Sequence, residues 1–145
     1  MQQLNVAGAF EWMERYLDAG NGNCTLNDAQ CGEIVVKALR HFDGTRYALG
    51  GFVVMPNHVH ALVQPIGDAT LTSVMHSWKS YTSHAINRYL GASGVLWQKE
   101  SFDRIVRDQF ELEKFDQYIA TNPTTAGLAS SEFRIGNGSA AWSEK

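Results

Sequence analysis

The chain has 145 residues, 44% of them hydrophobic and 19% charged, which fits one globular domain and excludes an intrinsically disordered chain. No apolar run is long enough to cross a bilayer and Met1–Gly20 lacks a secretory signal, so we expect a cytoplasmic protein without a membrane partner. The net charge of the chain is −3, but residues 34–107 carry eight basic and four acidic residues, a net charge of +4. An anionic partner for this segment is therefore not excluded. The alternative is that the uneven charge belongs to a solvated surface without a partner.

The N-terminal part of the chain is predicted to contain two helices. Phe10–Leu17 reads as a short helical piece, and Asp18–Asn23 is a loop by its Gly and Asn content. Asn27 or Asp28 then provides a cap for a longer helix that runs to about Phe42.

The middle of the chain is predicted to form a β-hairpin and a long helix. Tyr47–Met55 and His58–Gln64 read as strands, and Pro56-Asn57 between them is a turn. Thr70–Leu90 has the pattern of a helix that ends at Gly91.

The last part of the chain is predicted to hold one strand, one helix and a loose tail. The strand lies within Leu96–Val106. The helix begins at Asp108 and stops at Pro123, because proline cannot continue a helix without losing a hydrogen bond. The tail, residues 130–145, is rich in Gly and Ser.

Two histidines lie in the second strand of the predicted hairpin. Side chains at i and i+2 of a strand share a face, so His58 and His60 project together while Val59 points the other way. Two adjacent imidazoles are a natural beginning of a divalent-metal site, although an open catalytic site usually has three protein ligands. The alternative is a pair of partly buried or surface histidines that bind no metal.

Several separated motifs, in the right order, resemble one family. The segment Met55–Val63 resembles the histidine–hydrophobe–histidine (HUH) motif of single-tyrosine transposases, and more narrowly of the REP-associated tyrosine transposases of bacteria. The similarity continues through Leu17–Gly20, Phe42–Tyr47, Leu96–Gln98, Phe102–Asp108, Tyr118–Pro123 and Ala126–Leu128. It covers about residues 11–130, so we predict one transposase domain over residues 1–145.

The resemblance implies an α+β, ferredoxin-like fold in which an antiparallel sheet carries the HUH motif on a central strand and helices cover one face. It also implies Mg²⁺- or Mn²⁺-dependent cleavage and rejoining of single-stranded DNA through a covalent 5′-phosphotyrosine, beside a hairpin such as a REP-like palindrome. One departure is Met1–Phe10, which is short and weakly strand-forming. The N-terminal edge strand could therefore be missing. The open edge of the sheet would then have to be covered in a monomer or paired in a homodimer.

The resemblance places the nucleophile in the motif Tyr-Ile-x-x-Asn-Pro, and hence at Tyr118. Tyr118 and Asn122 are i and i+4 on the last helix and share a face. The carbonyl oxygen of Asn122 is a suitable hard ligand for Mg²⁺, so this face would deliver the nucleophile and the third metal ligand together. The alternatives are that Tyr118 packs in the core beside Phe115 and Ile119, or that Tyr81 is the nucleophile.

Basic and aromatic side chains are the expected DNA contacts. The predicted phosphate contacts, whose contribution to affinity falls with salt, are Lys79, Arg88, Lys99, Arg104 and Arg107. Trp78 and Trp97 could stack on bases, with core packing as the alternative.

The main functional hypothesis is a metal-dependent transposase that cleaves and rejoins single-stranded DNA with a tyrosine nucleophile. A non-cleaving remnant that only binds hairpin DNA is one alternative. A metal-dependent nuclease that uses water, with Tyr118 in a structural role, is the other. A covalent protein–DNA adduct would distinguish the first from both.

Overall fold

A computed structural model of the chain describes residues 3–5, 9–15, 26, 28–98, 102–125, 127–128 and 133–143. Within these residues lie seven strands and three helices: β1 (Gln3–Asn5), β2 (Phe10–Arg15), α1 (Ala29–His41), β3 (Tyr47–Met55), β4 (His58–Pro65), α2 (Leu71–Leu90), β5 (Phe102–Ile105), α3 (Gln109–Thr125), β6 (Arg134–Asn137) and β7 (Ala141–Ser143). None of the helices in the described part of the chain has the length and apolar character that crossing a membrane requires.

The main sheet has the strand order β5-β2-β4-β3-β6, and each neighbouring pair is antiparallel. Helix α1 connects β2 to β3, and α2 connects β4 to β5, so two β-α-β units are interleaved in one sheet. This is the predicted α+β, ferredoxin-like arrangement with one added edge strand, β6. The strand β4, which carries both histidines, lies at the centre of the sheet as predicted. β1 and β7 form a separate parallel pair.

Local sequence signals account for the elements that were predicted correctly. The Asp28 side chain caps α1 by accepting a hydrogen bond from the Gln30 N–H at 2.8 Å. Thr70 caps the start of α2, and Gly91 ends it with a φ of 65°, a left-handed conformation that glycine adopts without a steric penalty. The turn at Pro56-Asn57 joins β3 to β4 as expected.

Helices cover both faces of the sheet. The expectation of helices on one face is correct for α1 and α2, which share a face, and wrong for α3, which lies on the other. All nine residues of β3 are buried, which requires cover on both sides. One apolar cluster joins Val59 and Ala61 of β4 to α1 and α2. A second cluster, on the opposite face, joins Leu62 of β4 to Phe115 of α3.

The prediction of a helix over Phe10–Leu17 is wrong for its described residues, because Phe10–Arg15 forms β2. The strand pairs with β4 on one side and β5 on the other, so two rows of backbone hydrogen bonds outweigh the local helical pattern. Trp12 is buried in the cluster beneath α1 and α2. The N-terminal strand is therefore present inside the sheet and not missing from its edge. The predicted loop at Asp18–Asn23 lies outside the described residues.

The C-terminal part of the chain departs from the sequence prediction in two ways. Helix α3 passes through Pro123 and ends at Thr125, with Pro123 itself buried. The tail is not loose over the described residues 133–143, because β6 pairs with β3 at the edge of the sheet. Just after β6, the Gly138 N–H donates a hydrogen bond to the Gly50 carbonyl at 3.0 Å. Long-range pairing of this kind is not visible in local composition.

Candidate active site

The two histidines of β4 project from the face of the sheet that α3 covers. The centroids of the His58 and His60 rings are 4.9 Å apart, with an interplanar angle of 83°. Val59, between them, is buried on the opposite face, as the alternation of a strand requires. His60 is 8% exposed, whereas His58 is half-buried.

Helix α3 brings Tyr118 to the same place. Its ring lies edge-on to His60, with 5.3 Å between the centroids and an angle of 78° between the planes. Phe115 and Ile119 take the buried positions of this helix, while the Tyr118 side chain is 47% exposed. Tyr118 is therefore not a core residue, and solvent reaches its side chain.

Asn122 lies one turn after Tyr118 on the same helix. Its amide nitrogen donates a hydrogen bond to the Met55 sulfur at 3.1 Å. Met55 is the residue directly opposite His58 in the β3–β4 pairing. Asn122 thus contacts the residue beside His58.

A cavity of about 350 Å³ opens beside Tyr118 and His60. It is lined by Glu11, Trp12, Met13, His60, Phe102, Arg104, Phe115 and Tyr118. Met13 stands directly opposite His60 in the β2–β4 pairing, so β2 forms one wall of the cavity. Tyr118 and His60 therefore line one open cavity.

Two arginines and two glutamates form an ion-pair network at this cavity. An Arg104 guanidinium nitrogen lies 2.7 Å from a Glu11 carboxylate oxygen and 4.0 Å from one of Glu111. Arg107 pairs with Glu111 at 3.0 Å. The hydrogen bonds that Arg107 donates lower the pKa of Glu111 from 4.5 to about 2. The sequence offered no signal for Glu11, because its segment was expected to be helical.

The predicted phosphate contacts do not all lie at this site. Arg104 and Arg107 are at or beside the cavity. Lys79 and Arg88 are on α2, which packs against the opposite face of the sheet, and Lys79 donates a hydrogen bond to the Gln98 carbonyl at 3.3 Å. Lys99 lies outside the described residues.

The aromatic candidates outside α3 do not join the site. Trp78 and Trp97 are each 4% exposed, so the suggestion that they stack on bases is wrong. The Trp78 indole N–H donates to the Tyr47 hydroxyl at 3.0 Å, and both tryptophans belong to the core cluster under α1 and α2. Tyr81 is exposed, but it lies on α2, across the sheet from the histidines.

The donors around the histidines suit a divalent cation. Within the described ranges, no group of three or more His, Cys, Asp or Glu side chains is placed to hold a metal, so a site built on His58 and His60 would need a further ligand of another type. The Asn57 side-chain oxygen lies 2.7 Å from the His58 Nδ1 and can accept a hydrogen bond from it, and in the tautomer with the proton on Nδ1 the lone pair that can bind a metal is on Nε2. Two imidazoles together with one amide oxygen would be a mixed set that fits Mn²⁺ more readily than Mg²⁺, which prefers oxygen ligands alone.

Residues 25–122 match the model of a family described as IS200-like transposases. None of the curated proteins matches this chain. A solved structure of a REP-associated tyrosine transposase bound to a REP hairpin is similar, with 19% identity and a TM-score of 0.65, over 89% of this chain and 73% of that one. A protein of Deinococcus radiodurans assigned as a transposase has 14% identity and a TM-score of 0.50, over 83% of this chain and 92% of that one. Identities this low show likeness of fold alone.

Proposed function

Since this chain belongs to the family of IS200-like transposases, we propose that it cleaves and rejoins single-stranded DNA. The proposed nucleophile is Tyr118. The proposed ligands of Mg²⁺ or Mn²⁺ are His58, His60 and Asn122. The observation that carries the proposal is the exposed phenol of Tyr118 beside the buried ring of His60, 5.3 Å between centroids, on the wall of an open cavity.

The proposed reaction is a transesterification at phosphorus. The Tyr118 oxygen forms a bond to the scissile phosphorus, the bond from phosphorus to the 3′ oxygen breaks, and the 3′ oxygen leaves as a hydroxyl after taking up a proton. The product is a 5′-phosphotyrosine, which keeps the energy of the diester. Attack by another 3′ hydroxyl reverses the step and rejoins strands, without ATP.

The chain's own residues would prepare this step. Tyr118 must lose its hydroxyl proton as it attacks, because its oxygen becomes part of a phosphate ester. When bound, a divalent cation supplies polarisation of the scissile phosphate and offsets its developing charge. Asn57 supports the ligand set by fixing the tautomer of His58 through the 2.7 Å hydrogen bond.

Arg104 and Arg107 are the proposed phosphate contacts nearest the reacting strand. Arg104 lines the cavity that contains Tyr118, and its ion pair with Glu11 holds the guanidinium there. A phosphate entering the cavity would compete with Glu11 for this cation. Lys79 and Arg88 are proposed as more distant contacts and Lys99 as a further contact, and the effect of these charges on affinity is mainly electrostatic.

The proposed substrate is single-stranded DNA next to a hairpin of the REP-like palindromic type. The similar REP-associated transposase is bound to a REP hairpin, which supports the same class of partner here. A non-cleaving remnant is the alternative if the N-terminal strand is lacking, but β2 fills that place in the sheet, so no described feature favours it.

A covalent adduct tests the proposal. The protein is incubated with Mn²⁺ and an end-labelled DNA strand that contains a hairpin, and the mixture is separated by denaturing electrophoresis. We expect a labelled band at the mass of protein plus DNA, and a phosphorylated peptide that contains Tyr118. Cleavage without an adduct would indicate that water is the nucleophile, and binding without cleavage would indicate a remnant.

A further inference from the structure

A second cavity lies on the other side of the molecule, along the outer surfaces of α1 and α2. Its volume is about 630 Å³, and α1 with the residues just after it supplies most of the lining. The lining residues are Glu33, Val36, Lys37, Ala38, Arg40, His41, Phe42, Ser77, Trp78 and Tyr81. Because α1 and α2 pack on the face of the sheet opposite α3, this α1–α2 cleft is separate from the cavity at Tyr118.

Two aromatic rings in the α1–α2 cleft are open to solvent. Tyr81 is 56% exposed and Phe42 is 38% exposed. The Arg46 guanidinium lies over the Phe42 ring at 5.2 Å and also donates a hydrogen bond to the Ser77 hydroxyl at 2.9 Å. The His41 ring also lies edge-on to Phe42, with 4.4 Å between the centroids, so Tyr81 is the ring on which an unpaired base can stack.

The charge around the cleft is positive, although the whole chain carries a net charge of −3. Helix α2 contains no Asp or Glu over its 20 residues. Lys37 and Arg40 are exposed residues of the cleft lining, although the Arg40 guanidinium itself lies over the Phe52 ring at 5.3 Å, and Glu33 is the one acid among the described residues that line the cleft. A guanidinium nitrogen of Arg134 lies 4.0 Å from Glu33 and offsets its charge. The cleft therefore complements a polyanion.

We propose that the α1–α2 cleft binds an unpaired nucleotide in the loop of a DNA hairpin, with the base against Tyr81 and a flanking phosphate near Lys37. A duplex hides the faces of its bases, so exposed rings favour an unpaired nucleotide over a stem. The loop of a hairpin and the base of its stem are at opposite ends of the hairpin. The cleft and Tyr118 are likewise on opposite sides of the sheet. The choice of ligand rests on the proposed hairpin binding.

Substitutions at Tyr81 test the stacking. Dissociation constants are measured by fluorescence anisotropy for two probes: a hairpin with a loop of four thymidines, and a blunt duplex of the same stem. Stacking on one aromatic ring corresponds to about a tenfold change in affinity. We expect Tyr81→Ala to weaken binding of the hairpin about tenfold and to leave the duplex unchanged, and Tyr81→Phe to restore the hairpin affinity.

Tyr89→Ala is the matched control for the ring, because Tyr89 is also an exposed tyrosine of α2, at 49%, but does not line the cleft. Lys37→Gln tests the phosphate contact and should reduce the salt dependence of hairpin binding by about one charge. Lys114→Gln, on α3 at the opposite face, is its control and should not change that slope.

Equal hairpin affinity in wild type and Tyr81→Ala, or equal losses for hairpin and duplex, would overturn the inference. Such a result would leave the cleft to a different occupant, such as an acidic peptide. Adduct formation by the same variants separates this inference from the proposed function. If Tyr81→Ala still forms the adduct but no longer binds the hairpin more tightly than the duplex, the result supports nucleotide binding in the cleft. If the wild type forms no adduct, the proposal that Tyr118 is the nucleophile is contradicted. Binding in the cleft is then still tested by comparing the affinities for the two probes.

Discussion

Tyr118 on α3 and His60 on β4 face each other edge-on, with 5.3 Å between their ring centroids, although 58 positions separate them in the chain. The two residues reach this position from different secondary-structure elements. His60 is fixed in the central strand, where it is 8% exposed, and Tyr118 stands half-exposed on the covering helix. A rigid strand thus supplies the buried partner and the helix supplies an accessible phenol.

Replacing Tyr118 with Phe should abolish the DNA–protein adduct and keep the fold. The change removes one hydroxyl from a side chain that is 47% exposed, so the loss in stability should be below about 1.5 kcal/mol. Denaturing electrophoresis with labelled DNA measures the adduct, and thermal unfolding measures the fold. Tyr81→Phe is the control, and an adduct that persists in the Tyr118 variant but disappears in the Tyr81 variant would show that the nucleophile is wrong.

His58→Ala and His60→Ala should each stop cleavage while hairpin binding remains largely intact. Binding is expected to depend mainly on phosphate contacts, whereas the imidazoles are proposed to hold the metal that acts on the scissile bond. Mn²⁺ binding, followed by electron paramagnetic resonance, gives a readout that does not depend on activity and should weaken in both variants. If DNA binding falls as far as cleavage, the histidines have a structural role.

Asn57→Ala should lower Mn²⁺ affinity by about 10- to 100-fold, the usual effect of removing a group that orients a histidine ligand. The variant loses the 2.7 Å hydrogen bond that fixes the His58 tautomer. Asn87→Ala is the control, because Asn87 lies on α2 and donates to the Gly94 carbonyl, away from the histidines. An Asn57 variant with unchanged Mn²⁺ affinity would mean that this tautomer is not required.

Glu111 should make stability depend on pH at the acid end. Its pKa is lowered in the folded state, from 4.5 to about 2, so its contribution is present above pH 4.5 and is lost as the pH falls through about 2. The urea midpoint of wild type should therefore exceed that of Glu111→Gln at pH 6, and the gap should close between pH 4.5 and 2. Glu113→Gln is the control on the same helix. A gap that stays constant with pH would contradict the lowered pKa.

Gly138→Ala should destabilise the fold by roughly 1–3 kcal/mol, the usual cost of overpacking. A Cβ at this position would lie 2.4 Å from the Leu49 carbonyl oxygen, where neither backbone can give way easily. Urea denaturation gives the free energy of unfolding. An unchanged value would mean that the chain after β6 does not pack on β3 as described.

The sequence by itself determined the elements whose signals are local. The apolar runs in Tyr47–Met55 and after His58, the cap at Asp28 and the glycine at position 91 each act within a few residues, and the structure has these elements where they were predicted. The order of motifs also identified the family. Local sterics and capping hydrogen bonds do not depend on distant parts of the chain, so they can be read without the fold.

Only the tertiary structure decided which elements meet. The segment Phe10–Arg15 is a strand because it pairs with β4 on one edge and with β5 on the other. Arg104 donates a hydrogen bond to Glu11, which is 93 positions earlier in the sequence. Trp78 is buried because α2 lies on the sheet, whereas Tyr118 is exposed because Phe115 and Ile119 take the core side of α3. Burial and pairing between distant segments depend on the arrangement of the whole chain, and no local pattern encodes them.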